Sequence, residues 1–193
     1  MTENRENIRL SPTAYLQQEE TAATKSEYLA GELFPMVGGT ANHNRIVVSL
    51  CSALDARLEK GRCEVFSSDL KLWVEAYDLF TYPDVMVICG AVQYYPGRMD
   101  VVANPTLIAE VLSKSTGGLD KGEKFTWYRA LDSLQDYLLI DQYRVHVDWY
   151  HKLANGRWLL TEYVSLEDVL SLESINVELP IRLLYQRVDW SRV

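Results

Sequence analysis

Two short apolar runs, each broken by a single carboxylate, restrict this chain more than any other feature. TYPDVMVICG at 81–90 carries Asp84 directly behind Pro83, and NPTLIAEVLS at 104–113 carries Glu110 as its one charged residue. Runs of this length, rich in β-branched residues and bounded by Gly, Pro or Asn, read as buried strands. Period-two alternation then puts Asp84, Met86 and Ile88 on one face of the first strand, and Ile108, Glu110 and Leu112 on one face of the second. An unpaired charge in such surroundings is costly, so a buried acid normally has a cation, a metal or a proton as its partner. A Pro-Asp step before a strand is also a common turn, and a lone strand glutamate can face water. Two acids in consecutive apolar strands suggest one shared partner.

At 193 residues the chain has room for one sizeable core and is short for two. A single domain over 1–193 is expected, with a core at about 25–142 and a hairpin-and-helix extension at 143–193. Hydrophobic residues at 48% and charged residues at 24% argue against disorder. A formal net charge of −8 repels nucleic acid at long range, so a DNA contact needs a local basic patch or a bound cation. Cys51, Cys63 and Cys89 are scattered, with no CxxC pair, and read as reduced buried thiols. The opening MTENRENIRL is polar, and no window nears the ~18 apolar residues of a membrane helix. The expectation is a cytoplasmic protein without membrane insertion.

Between these features the pattern supplies an element order. EYLAGELFPM at 27–36 reads as a hairpin turning at Ala30-Gly31, and the stripe Ile46, Val47, Leu50, Cys51, Leu54, Leu58 as a helix over 42–60, capped by Thr40 or Asn42 and closed by Gly61. FSSDLKLWVE alternates as a strand, expected to join the two acid-bearing strands in one sheet. LDKGEKFTWYRAL predicts a second helix over 119–131, with Lys121, Lys124 and Tyr128 on one side. DYLLID is a short buried strand, Asn155-Gly156 marks a two-residue hairpin turn, and Pro180 suits the start of a terminal helix.

YPDVMVICG, NPTLIAEVLSKST and LDKGEKFTWYRALDSLQDYLLID, preceded by KSEYLAGELFPMVGGTANHNRI, together resemble the Uma-two family of bacterial restriction-endonuclease-like domains. The resemblance implies an α/β (α+β) fold with the PD-(D/E)XK nuclease core, a central mixed sheet flanked by helices, here with extra N-terminal and C-terminal hairpins. It implies Mg²⁺ or Mn²⁺ held by Asp84, Glu110 and the carbonyl of Val111, and hydrolysis of a DNA phosphodiester. The parent pattern has a lysine two residues after the glutamate, where this chain has Leu112. The resembling sequences share that departure and offer a lysine from the following helix, which makes Lys124 the candidate catalytic cation. Its place on a helix surface leads to the expectation that losing it hurts rate and not stability.

Glu27 and His43 fall on motif positions of the same family and, with Lys121 and Tyr128, are candidates for contacting substrate. Blander alternatives stand beside each: a solvated basic helix face for the lysines, and a cap or satisfied core residue for His43. Lys114 is expected to point to solvent, Asp69 to be structural, and GGT at 38–40 to lack the spacing of a phosphate loop. His146 and His151 lie five apart on one strand, which sends them to opposite faces. The expected activity is that of a metal-dependent endonuclease, with a homodimer natural for duplex cleavage. Two alternatives are a nuclease fold that binds nucleic acid or protein without cutting, and a dimerisation module using Trp149, Tyr150 and Trp158 as exposed aromatics.

Overall fold

The computed structural model describes residues 9–58, 62–113, 118 and 120–192. Helix α1 (Pro12–Glu19) starts on Ser11, whose hydroxyl accepts from the Ala14 N–H, with proline in the first turn. Strands β1 (Ser26–Leu29) and β2 (Glu32–Pro35) form the first hairpin and turn through Ala30 and Gly31, both at positive φ. Helix α2 (Ala41–Asp55) is capped by Thr40, whose hydroxyl accepts from the His43 N–H. Then come β3 (Cys63–Ser67), β4 (Lys71–Val74), β5 (Leu79–Thr81), β6 (Val85–Cys89), β7 (Val101–Val102) and β8 (Leu107–Leu112). A π-helical turn, Asp120–Lys124, leads into the one-turn helix α3 (Phe125–Tyr128). The chain closes with β9 (Asp136–Asp141), β10 (Val147–Lys152), β11 (Trp158–Tyr163), β12 (Val169–Leu172), β13 (Val177–Pro180) and α4 (Ile181–Tyr185).

The larger sheet has the order β11-β10-β9-β8-β6-β3, with β8 and β9 parallel and the other pairs antiparallel. Alternation along its central strands sorts side chains between two cores. Val85, Val87, Ala109, Val111, Leu138 and Ile140 meet Ile46, Leu50 and Leu54 of α2 and Ile181 and Leu184 of α4 on one face. Met86, Ile88, Ile108, Leu112 and Leu139 pack on the other against Tyr128 and against Leu72, Val74 and Leu79 of a second, five-stranded sheet, β2-β1-β5-β4-β7. Each fully buried Leu, Ile or Val contributes about 1.5–3 kcal/mol, so both faces of the central strands are strongly committed. Tyr15 and Leu16 of α1 cover the far side of the smaller sheet over Tyr28 and Phe80.

The expected mixed sheet flanked by helices is present, but the expectation of one sheet for the three strands of residues 70–112 is overturned. FSSDLKLWVE is two strands, because a turn in which the Asp69 and Leu70 amides both reach the Ser67 carbonyl breaks it after β3. β4 and β5 belong to the smaller sheet, while β3, β6 and β8 belong to the larger. The chain crosses between sheets through Tyr82, Pro83 and Asp84, where proline offers no N–H to a ladder. Asp84 thus lies on a bend at the entrance to β6, where two sheets part.

Other expectations also change. Helix α2 stops at Asp55, short of the expected Lys60, and the expected Gly61 cap, like Lys60 itself, lies outside the described residues. The second helix is a π turn plus one α turn; Leu119 and Lys114 lie outside the described residues. Cys63 and Cys89 are joined in a disulfide, since the antiparallel register of β3 and β6 sets them directly opposite, and only Cys51 among the three is free. Asn155-Gly156 sits in a five-residue connection between Lys152 and Trp158, with Gly156 at φ 77°, so the turn is wider than the two-residue kind. Trp149, Tyr150 and Trp158 are not exposed: Trp149 packs on one core, and Tyr150 and Trp158 stack around Phe125 in the other.

Candidate active site

The break between the sheets opens a cavity of about 530 Å³ whose wall includes Glu27, His43, Asp84, Glu110, Asp120 and Lys124. Five parts of the chain supply these side chains: β1, α2, the bend before β6, β8 and the π turn before α3. Asp84 Oδ2 accepts the Val111 N–H at 2.7 Å and meets His43 Nε2 at 3.0 Å. An ionised carboxylate only accepts, so Nε2 carries the proton in this bond. The Asp84 backbone N–H in turn donates to Glu110 Oε2 at 3.3 Å. A strand residue presents its N–H and C=O to the same side. The carbonyl of Val111 therefore faces the side on which its amide meets Asp84, past the end of the β6–β8 ladder at Ala109.

Glu110 lies in a strand buried along its whole length. Its Oε1 accepts from Lys124 Nζ at 3.2 Å and from the Tyr128 hydroxyl at 2.9 Å. Lys124 Nζ also lies 3.3 Å from Glu27 Oε1 and 3.5 Å from Asp120 Oδ1. Thr81 donates to the same oxygen of Glu27. Lys124 is only 7% exposed, which overturns the expectation of a helix-surface lysine irrelevant to stability. The π turn accompanies the burial: the Lys124 ammonium meets Glu110, Glu27 and Asp120, while Gly122 and Glu123 stay exposed.

Three carboxylates, Glu27, Glu110 and Asp120, thus converge on one ammonium. Burial, reinforced by Asp84, Asp120 and Glu27 and opposed by Lys124, raises the Glu110 carboxyl to about 8. For Lys124 burial acts downward, but Glu110, Glu27 and Asp120 outweigh it and hold the ammonium charged, well above its ordinary value. Burial, with Glu110 and Glu27, likewise keeps the Tyr128 phenol neutral. This donor set fits a divalent cation of the hard, oxygen-seeking kind. Carboxylate charge exceeds the ammonium among the described residues, where the hydrogen bonds to the Asp84 carboxylate fall on Oδ2, and a strand carbonyl faces the same side.

The start of α2 is held against β8 by a buried polar clamp. Gln142 donates to the Leu112 carbonyl at 2.7 Å and accepts from the hydroxyl of Thr40, the residue that caps α2. The clamp fixes His43 beside Asp84. His43 Nδ1 is buried with no hydrogen-bond partner among the described residues, where buried polar atoms are nearly always paired. A Cβ on Gly39 would stand 2.8 Å from that nitrogen, so only glycine lets the loop close over the ring.

Of the residues singled out from the sequence, Glu27, His43, Asp84, Glu110, Val111 and Lys124 all line this cavity. Tyr128 does not: it is fully buried behind Glu110, and its hydroxyl donates to that glutamate. The side chain of Lys121 lies outside the described residues. Asp69 is exposed and ion-paired with Lys25, and it does not line the cavity. Asp120 was not anticipated, although its i,i+4 spacing to Lys124 was available as a signal.

Comparison with known proteins agrees with this architecture. Residues 12–182 match the model of the Uma2 family, described as "Putative restriction endonuclease". Two proteins of Synechocystis sp. (strain PCC 6803) are similar along most of their length. Uncharacterized protein sll1609 is 44% identical over 153 residues, covering 79% of this chain and 86% of its own. Uncharacterized protein slr1290 is 38% identical over 178 residues, covering 92% of each. Among solved structures, a "putative nuclease belonging to DUF820" from Anabaena variabilis superposes with a TM-score of 0.69 at 17% identity, over 86% of this chain and 92% of that one, and so shares the fold. With a family match over most of its residues and relatives this similar, the chain belongs to the Uma2 family of restriction-endonuclease-like proteins.

Proposed function

We propose that this chain is a Mg²⁺- or Mn²⁺-dependent nuclease that hydrolyses phosphodiester bonds of DNA. The observation that carries the proposal is the meeting of Asp84, Glu110 and Lys124 in one cavity, with Lys124 Nζ 3.2 Å from Glu110 although it comes from a different element. Leu112 takes the usual lysine position and turns into the core, so the cation is supplied from the helix side. Asp84, Glu110 and the Val111 carbonyl would hold the metal. Such an ion polarises a phosphoryl oxygen, lowers the pKa of bound water and steadies the leaving oxygen.

The chain's own residues have separable tasks. Val111 N–H and His43 Nε2 fix the rotamer of Asp84, and Tyr128 fixes that of Glu110. Lys124 carries a permanent positive charge to the place where negative charge develops on the phosphate or the attacking water. Asp120 and Glu27 hold that ammonium in position until substrate competes for it. The test is thermal: Mn²⁺ should raise the melting temperature of wild type but not of Asp84→Asn, and Glu110→Ala should abolish the effect. Unchanged Mn²⁺ binding in Glu110→Ala would refute the metal assignment.

A second reading, a nuclease fold that binds nucleic acid or protein without cutting, draws on the three carboxylates around Lys124 and the net charge of −8. Both oppose the approach of a polyanion. Metal binding with no cleavage of single-stranded or duplex DNA or RNA would favour it.

A further inference from the structure

We infer that the β10–β11 hairpin carries a second divalent-cation site, of the zinc class, formed by His146 Nε2 and the carboxylates of Asp148 and Glu162. One ligand atom from each of the three lies within 4.8 Å of the others. His146 Nε2 is 2.7 Å from Asp148 Oδ1 and 3.4 Å from Glu162 Oε1. The hairpin imposes this arrangement. His146 and Asp148 are two residues apart and so project to one side, while Glu162 stands directly opposite Asp148 in the β10–β11 register. The sequence pattern sets only the two histidines apart, and the cross-strand partner of His146 becomes visible with the register.

The geometry is close to what a small metal ion needs. Bonds of about 2.0–2.2 Å to nitrogen and oxygen place neighbouring ligand atoms roughly 3–3.6 Å apart in a tetrahedron. His146 Nε2 and Glu162 Oε1 already stand at such a separation, while the His146–Asp148 hydrogen bond at 2.7 Å must open slightly to admit an ion. His146 is held for the purpose: the Tyr185 hydroxyl accepts from its N–H at 3.2 Å and donates to its carbonyl at 2.8 Å, and the Asp141 N–H donates to the same carbonyl at 3.0 Å. Asp148 is buried and Glu162 is exposed, which gives the ion one fixed side and one side for entry. An imidazole among the ligands selects for zinc and its late first-row neighbours over Mg²⁺, for which all-oxygen sets suffice. Three protein ligands leave a fourth position to water.

No residue of this site belongs to the cavity around Asp84. The bound ion would tie the sheet's outermost strand, β11, to the part of β10 that α4 already anchors through Tyr185. The competing arrangement is an ion pair in which His146 alone bridges the two acids.

The experiment uses the full chain, freed of metal by chelation, in the Asp84→Asn background so that the first cavity does not contribute. Zinc is titrated by calorimetry, and Co²⁺ serves as a coloured substitute whose visible absorption reports imidazole and carboxylate ligation. The Asp84→Asn protein should bind one zinc ion and melt at a higher temperature with it. Adding Glu162→Gln, an exposed substitution that spares folding, should weaken zinc binding at least about 10-fold, the lower end of what losing even an outer partner of a metal costs. Adding His146→Gln should remove the Co²⁺ spectrum as well. Zinc affinity that is unchanged by Glu162→Gln and His146→Gln, or absent from the Asp84→Asn protein, would overturn the inference.

Discussion

Replacing Lys124 by methionine keeps most of the side chain's volume and removes an ammonium that Glu27, Glu110 and Asp120 share. At contacts of this length each pair gains roughly 5 kcal/mol of gross attraction at an effective dielectric of about 20. Desolvation of the four groups takes back much of it. Removing one partner of a buried pair costs about 3–5 kcal/mol, because the remaining charge loses compensation. For a chain of this size each kcal/mol moves the melting temperature by about 2–4 °C, so Lys124→Met should melt about 6–20 °C below wild type in chelator. The deficit should be larger at pH 9 than at pH 6, since below about pH 8 Glu110 already holds a proton and depends less on the cation. Mn²⁺ should recover part of the loss by supplying charge to the same carboxylates, while single-turnover cleavage stays about 10²-fold down. Differential scanning calorimetry at the two pH values, with and without Mn²⁺, reads all of this. A variant that melts within about 2 °C of wild type at pH 9 would mean that the three acids do not depend on Lys124.

Glu110 binds its proton up to about pH 8 in the fold but only to about 4.5 when unfolded, so metal-free stability from this group falls as pH rises through that window. Metal must displace the proton, hence stabilisation by Mn²⁺ should grow between pH 5.5 and 8.5, and Glu110→Gln should flatten that dependence in a thermal-shift series. Gly39→Ala pushes a methyl group to 2.8 Å from His43 Nδ1 and should turn the ring away from Asp84, weakening Mn²⁺ binding by calorimetry while an exposed loop position leaves the melting temperature nearly unchanged. A two-fold dimer suits the cutting of two antiparallel strands, so light scattering should return twice the 22.1 kDa chain mass, and a monomer mass at all concentrations would reject that.

Local patterns and the motif order are enough to name most of the residues that meet in the candidate site's cavity. Apolar alternation around Asp84 and Glu110 identified their strands and shared face, and Thr40 announced the start of α2. What escaped was set by long-range pairing. Nothing local distinguishes the strand at Leu72 from the one at Val87, yet a turn at Asp69 and the proline at 83 send them to different sheets. The disulfide depends on the register of β3 against β6, which brings together residues 26 apart in sequence. An α-helical period makes Lys124 a surface lysine, whereas a π turn carries it inward. Tyr128 shared its helical side but, one turn on, packs behind Glu110.

The central claim is that Asp84 and Glu110 hold one divalent cation for phosphodiester hydrolysis with Lys124 beside it. Its most direct test is single-turnover cleavage of end-labelled duplex and single-stranded DNA by purified protein, with Mn²⁺, Mg²⁺ or chelator. Wild type should cut only with metal, Asp84→Asn and Glu110→Gln should not cut above background, and Lys124→Met should cut about 10²-fold more slowly. Cleavage that persists in chelator, or survives in Asp84→Asn, would contradict the account.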